Sequence, residues 1–108
     1  MEEAFGVCYG MLKITEKQFL QQVTDLAKIY HWEYYHTFDS RHSAAGFPDL
    51  ILIRVEDKGR IVVAECKSEK GKVTVFQDKW IKMFRDCGVE AYIWRPSQFE
   101  EIVECLKR

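Results

Sequence analysis

The apolar positions change period along the chain, and each change marks an element. Phe19, Leu20, Val23, Leu26, Ala27 and Tyr30 recur at helical spacing, which predicts a helix ending near Tyr30. Its start is legible in Thr15-Glu16-Lys17-Gln18, a capping box, with Ile14 and Phe19 placed as a hydrophobic staple. Trp32 to Phe38 is aromatic enough for a strand, and Asp39 to Gly46 is polar and small, a loop. Asp49 to Val55 and Ile61 to Ala64 are apolar at successive rather than alternate positions, the pattern of central strands covered on both faces. The short polar run Glu56-Asp57-Lys58-Gly59 joins them as a hairpin. Thr74-Val75-Phe76-Gln77 repeats the capping-box form. Phe76, Trp80, Met83, Phe84 and Cys87 then follow at helical spacing, and Gly88 is placed to end that helix. Val89 to Trp94 reads as a fourth strand. Ser97-Gln98-Phe99-Glu100 opens a last helix with Phe99, Ile102, Val103 and Leu106 on one side. The order is helix, three strands, helix, strand, helix, an α/β chain. Residues 15–108 form a single domain on this reading. Residues 1–14 form an N-terminal segment with no assigned element; the alternation of Phe5, Val7 and Tyr9 suits an edge strand or the cover of an interface.

The hairpin carries the chemistry. A register centred on Asp57 sets Asp49 opposite Glu65, Ile51 opposite Val63 and Ile53 opposite Ile61. Two carboxylates then stand side by side at the open end, with Lys67 on the face of Glu65 and Cys66 on the other. A one-residue slip would separate them, and turn geometry alone does not exclude it. Adjacent buried carboxylates repel, and a divalent cation with oxygen ligands is an economical remedy. Lys67 is then near enough to act on a phosphate bound to that cation. Glu16 precedes Phe19 and Leu20 by three and four residues and Val23 by seven. That spacing puts it on the apolar face of its helix, turned inward, within reach of the same cation. Each residue also has an ordinary reading. Glu-x-Lys recurs at Glu56 and Lys58 and suits a cross-face charge pair, Glu16 suits compensation of the helix dipole, and Asp49 after Pro48 suits the start of a strand. A strand of buried character that ends in Glu-Cys-Lys still needs a reason for its charges.

Composition narrows the setting. The 108 residues are 47% hydrophobic and 31% charged, which suits one domain and excludes a disordered chain. No apolar run approaches the ~20 residues of a membrane span, so no membrane partner is expected. The acidic start Met1-Glu2-Glu3 is unlike a secretory signal. Cys8, Cys66, Cys87 and Cys105 show neither C-x-x-C nor zinc spacing and read as reduced core thiols. An intracellular setting follows, cytoplasm or nucleoid, in a bacterial or phage context. The net charge of −1 hides an uneven distribution: Arg54 to Arg85 holds nine Lys/Arg against five Asp/Glu, and the remainder seven against twelve. A basic middle suits a phosphate-binding face and equally suits solvated edges of a sheet and helix.

Gly46-Phe47-Pro48-Asp49, Ala64-Glu65-Cys66-Lys67-Ser68, Gly71-Lys72-Val73-Thr74 with Gln77 and Trp80, and Trp94-Arg95-Pro96 together resemble the VRR-Nuc (virus-type replication-repair nuclease) domain, within the PD-(D/E)XK nuclease superfamily. The resemblance spans Thr15 to Leu106. It implies a restriction-endonuclease-like αβββαβ core, with a mixed central sheet flanked by helices and an extra C-terminal helix. It implies Asp49 and Glu65 as metal ligands with the main-chain carbonyl of Cys66, Glu16 as the acidic residue of the first helix, and Mg²⁺ or Mn²⁺ as cofactor. Lys67 would position the attacking water or stabilise the transition state. Gln77 matches the glutamine on the next helix, and its other reading, the cap with Thr74, stays open. Ser40 and Arg41 in the loop, with Lys70 and Lys72 after the third strand, are candidate phosphate contacts. The expected function is a metal-dependent, structure-selective DNA endonuclease of the Holliday-junction-resolvase kind. It would act as a homodimer on branched DNA and leave a 5′-phosphate and a 3′-hydroxyl. A flap or end-processing nuclease is the alternative on the same chemistry, and an inactive nucleic-acid-binding module the alternative of another class.

Overall fold

A computed structural model describes residues 13–37, 44–56 and 58–108. Helix α1 spans Glu16–Ile29, and the capping box forms as read: Gln18 N–H donates to Thr15 Oγ1 at 3.1 Å and Thr15 N–H to Gln18 Oε1 at 2.9 Å. Strands β1 (Glu33–His36), β2 (Leu50–Arg54) and β3 (Arg60–Cys66) follow, then α2 (Val75–Asp86) and β4 (Glu90–Trp94). A short 3₁₀ turn at Pro96–Gln98 leads into α3 (Phe99–Lys107). The last helix therefore starts two residues later than Ser97 would set it. The turn has its own cap, in which Arg95 N–H donates to Gln98 Oε1 at 2.9 Å.

The four strands lie in sequence order, with β1–β2 and β2–β3 antiparallel and β3–β4 parallel. The sheet is mixed because α2 carries the chain across between β3 and β4, as a parallel pair requires. The hairpin register is the one centred on residue 57: Ile51 pairs with Val63 and Ile53 with Ile61. No slip occurs, because a shift by one would turn the buried Leu50, Leu52, Val62 and Ala64 out of the core.

Alternation along the strands divides the molecule into three layers. Leu50, Leu52, Val62, Ala64, Cys66 and Trp94 face α1 and α3, where Phe19, Val23, Ile102 and Leu106 complete the larger core. The opposite face packs Val63 and Ala91 against Ile81 of α2, with Phe84 and Ile93 alongside. Here two expectations are corrected. On α2 the fully buried residue is Ile81, whereas Phe76 and Met83 of the predicted stripe are exposed and Trp80 packs edge-on against Phe47. The hairpin is covered on both faces only near its open end, since α2 lies over β3 and β4, and Ile53 and Ile61 near the turn are exposed on its side. Cys66 and Cys105 are buried free thiols, but Cys87 is exposed and is no core thiol. The proposed edge strand in the N-terminal segment lies outside the described residues.

Candidate active site

Asp49 and Glu65 meet at the open end of the hairpin, on the α2 face. The β2–β3 pairing ends at Leu50–Ala64, and just beyond it the carboxyls of Asp49 and Glu65 come within hydrogen-bonding reach of each other. Asp49 sits just outside β2 and is anchored on both sides. Its main-chain carbonyl accepts from Thr37 N–H at 2.9 Å, and its Oδ2 accepts from Cys66 N–H at 2.9 Å. Glu65 lies one residue before the end of β3 and is only 2% exposed. Its Oε2 accepts from Gln77 Nε2 at 3.0 Å. Its Oε1 is buried and meets no donor among the described residues. The carboxyl beside it belongs to Asp49, another acceptor. Burial first, then the charge of Asp49 and a hydrogen bond with it, push the Glu65 carboxyl up to about 8, against a smaller opposing pull from Lys67. Two carboxyls so placed hold either a proton or a cation between them.

Lys67 is nearly buried, and its backbone N–H continues the parallel ladder to Trp94 O at 2.9 Å. Its Nζ lies 3.7 Å from Glu16 Oε1. Glu16 is not turned inward: it lies in the exposed first turn of α1 and its side chain is half exposed. Its carboxylate nevertheless faces the cluster from the rim and adds to the rise of Glu65. Gln77 performs two tasks at once. Its Oε1 accepts from Thr74 N–H at 2.9 Å to complete the cap of α2, while its Nε2 serves Glu65. The cap and the site contact were read as alternatives, and one amide satisfies both because its two ends differ.

The loop before Asp49 is held against α2 by close backbone approach. Gly46 has φ +78°, and a Cβ there would lie 2.4 Å from the carbonyl carbon of Phe76 and 2.6 Å from Gln77 N. Trp80 Nε1 donates to Ala45 O at 3.0 Å in the same seam. Beyond β3, Arg95 Nη1 donates to the carbonyls of Ser68, Glu69 and Gly71 at 2.8, 3.1 and 2.8 Å. This clamp shapes the turn that bears exposed Lys70 and leads on to exposed Lys72. Sequence reasoning gave Arg95 no role; its signal was a charged residue between Trp94 and Pro96 at the end of a buried strand. Ser40 and Arg41 lie outside the described residues.

The basic middle of the chain is not one face. Arg54 is 6% exposed, donates to Leu106 O at 2.8 Å and stacks on Trp32. Arg60 is paired with Glu90 and donates to Cys105 O at 2.9 Å. Both guanidinium groups cap the C-terminal carbonyls of α3, far along the sheet from Asp49. Lys70 and Lys72 are exposed on the segment that follows β3, a few residues beyond buried Lys67.

The residues fit a divalent cation in kind: hard oxygen donors, one of them buried and without a donor. Among the described residues no three His, Cys, Asp or Glu side chains group at ligand spacing.

Comparison with known proteins decides the family. The VRR-NUC domain model matches residues 4–106. This chain belongs to the VRR-NUC family. A Fanconi-associated nuclease 1 homolog of Caenorhabditis elegans is 38% identical over 53 residues, 49% of this chain and 6% of that protein. The chain thus corresponds to a small part of that relative's length. No solved structure matches. The α/β fold and its mixed sheet agree with this membership. No helix of the described residues is long and apolar enough to cross a membrane.

Proposed function

We propose that this VRR-NUC chain is a divalent-metal-dependent endonuclease that cleaves branched DNA by structure rather than sequence, working as a homodimer. The observation that carries the metal dependence is the buried Glu65 Oε1, which has no hydrogen-bond donor among the described residues, in a carboxyl that stands beside that of Asp49. Asp49, Glu65 and the Cys66 carbonyl would hold Mg²⁺ or Mn²⁺, which when bound lowers the pKa of water and offsets charge on a phosphate. Gln77 fixes the Glu65 carboxyl from behind, so its free oxygen keeps one direction. Lys67, buried and tethered by Glu16, presents a cation toward the same point and stabilises the negative charge that develops as water attacks phosphorus. The new bond joins water oxygen to phosphorus, the P–O3′ bond breaks, and 5′-phosphate and 3′-hydroxyl ends result. Glu16 stands one layer out, and its role is to hold Lys67 and to meet the cation through water.

Selection by structure is supported by where the cations lie. Lys70 and Lys72 are exposed on a turn beside the site, where they meet backbone phosphates, which carry no sequence information. A branched duplex offers two such backbones, and a two-fold dimer would offer two sites to them. The deciding experiment is cleavage of a panel of four-way junctions, flaps and linear duplexes with Mg²⁺, Mn²⁺ and chelator. Paired cuts in junctions that stop with chelator support the proposal. Preference for flaps or ends moves the chain to the end-processing alternative, and binding without cleavage moves it to the inactive module.

A further inference from the structure

On the metal-dependent reading the Cys66 main-chain carbonyl joins the Asp49–Glu65 pair, and the ladder beside it shows how that oxygen is kept available. In β3, backbone groups alternate between neighbours. Lys67 N–H goes to Trp94 of β4, whereas Cys66 N–H points the other way and reaches Asp49 Oδ2 at 2.9 Å. The Cys66 carbonyl shares the direction of its own N–H, toward β2. The β2–β3 register, Leu50 with Ala64, puts Pro48 opposite Cys66 two residues further on. In an antiparallel ladder that partner exchanges both hydrogen bonds with Cys66. Pro48 has no N–H to give. Its own carbonyl is turned to Thr37 Oγ1 at 3.0 Å instead. Any other residue at this position would carry an N–H aimed at the Cys66 carbonyl.

We infer that Pro48 is a positioning residue of this site: by withholding one N–H it ends the β2–β3 ladder at Leu50–Ala64 and leaves the Cys66 carbonyl as the third protein oxygen beside Asp49 and Glu65. The inference rests on the metal-dependent reading above. Cys66 N–H is available to orient Asp49 for a separate reason, since the Pro48 carbonyl that would accept it is turned to Thr37 Oγ1. Pro48 is itself fully buried, so its ring adds packing that a test must separate from the missing N–H.

Three chains make the separation: the native protein, Pro48→Ala, and a chain with lactic acid at position 48, which has alanine's side chain but an ester oxygen for the N–H. Mn²⁺ binding is followed by calorimetry, and the amide that Pro48→Ala introduces is followed by hydrogen exchange in metal-free protein. The expected result is a protected new amide and Mn²⁺ binding weakened ~10-fold or more, as for groups that orient a metal's ligands. The lactate chain should recover most of that affinity. A new amide that exchanges freely overturns the inference without reference to any metal. So does equal weakening in the alanine and lactate chains, which would assign the effect to the lost ring. Failure of the native chain to bind Mn²⁺ while the new amide is protected would instead overturn the metal-dependent reading and, with it, any use for the freed carbonyl.

Discussion

A carboxyl pushed up to about 8 inside a protein is a cost that the chain retains. Glu65 would be more comfortable neutral, and rising pH should therefore weaken the metal-free chain. The raised folded value means its favourable contribution is complete below the usual carboxylate range and lost as pH climbs toward 8. Glu65→Gln, whose amide can donate to Asp49, should melt above the native metal-free protein at pH 8 by calorimetry while losing cleavage. On the proposed mechanism Asp49→Ala, which would remove a metal ligand, and Lys67→Ala, which would remove the charge that stabilises the transition state, should each lower the cleavage rate by about a hundredfold or more with the fold intact by circular dichroism. Glu16→Gln should cost less, as a half-exposed group replaceable by water. Glu90 shows the opposite sign: hydrogen bonds from Arg60, aided by Tyr92, hold its carboxyl below the usual range. Its stabilisation is present at neutral pH and disappears as pH falls through that lowered value. Glu90→Gln should accordingly be less stable than native by about 1 kcal/mol at pH 7, with the gap closing in acid, as read from urea unfolding at several pH values.

The elements matter through their ends. Helix α2 begins with a cap whose glutamine continues into the site, so the phase of the helix and the position of Glu65 are set by one side chain. The loop entering β2 passes that same first turn at backbone distance, which only Gly46 allows. Gly46→Ala adds a Cβ against the Phe76 carbonyl carbon and strains a positive φ, so it should destabilise the chain by about 2 kcal/mol or more. Because the displaced loop carries Asp49, the same variant should lose cleavage under conditions where it remains folded. Equal stability and activity in Gly46→Ala would show that the seam between loop and α2 does not hold the site. Just beyond the same end of β3, the Arg95 guanidinium holds a Gly- and Lys-containing turn through three of its carbonyls.

The whole molecule separates its charges by task. Arg54 and Arg60 secure α3 at one end, and Lys67, Lys70 and Lys72 occupy the other. DNA affinity should fall with salt, and Lys70→Ala and Lys72→Ala should each reduce the salt slope by about 0.9 on duplex DNA. Arg54→Ala should leave that slope unchanged and lower stability instead, because it removes a buried cap. A slope that responds to Arg54 but not to the lysines would relocate the nucleic-acid face. A junction has two strands to cut, and a chain of 12.8 kDa carries one Asp49–Glu65 site. Light scattering should find a two-fold dimer at micromolar concentration, with near-simultaneous nicks on opposing strands. A monomer with and without DNA would remove the resolvase reading and favour end processing.

Periodicity and turn chemistry alone determined the order of elements and both capping boxes, because these depend on neighbours within a few residues; they offered the hairpin register, which burial of one strand face then fixed against a slip. That register already brought Asp49 beside Glu65 and put Lys67 on the same face. Tertiary structure decided what depends on which layer covers what. The helix after β3 lies over β3 and β4 only, so Ile53, Ile61, Phe76 and Met83 are exposed despite apolar patterns that suit a core. Glu16 sits in a helix first turn whose residues are exposed, so spacing that suggests an inward carboxylate yields one half in water. Arg54 looked like part of a basic face until α3 placed open carbonyls above it. The sequence names Pro48 as a residue without an N–H. Only the sheet, by setting it opposite Cys66, makes that missing hydrogen bond matter.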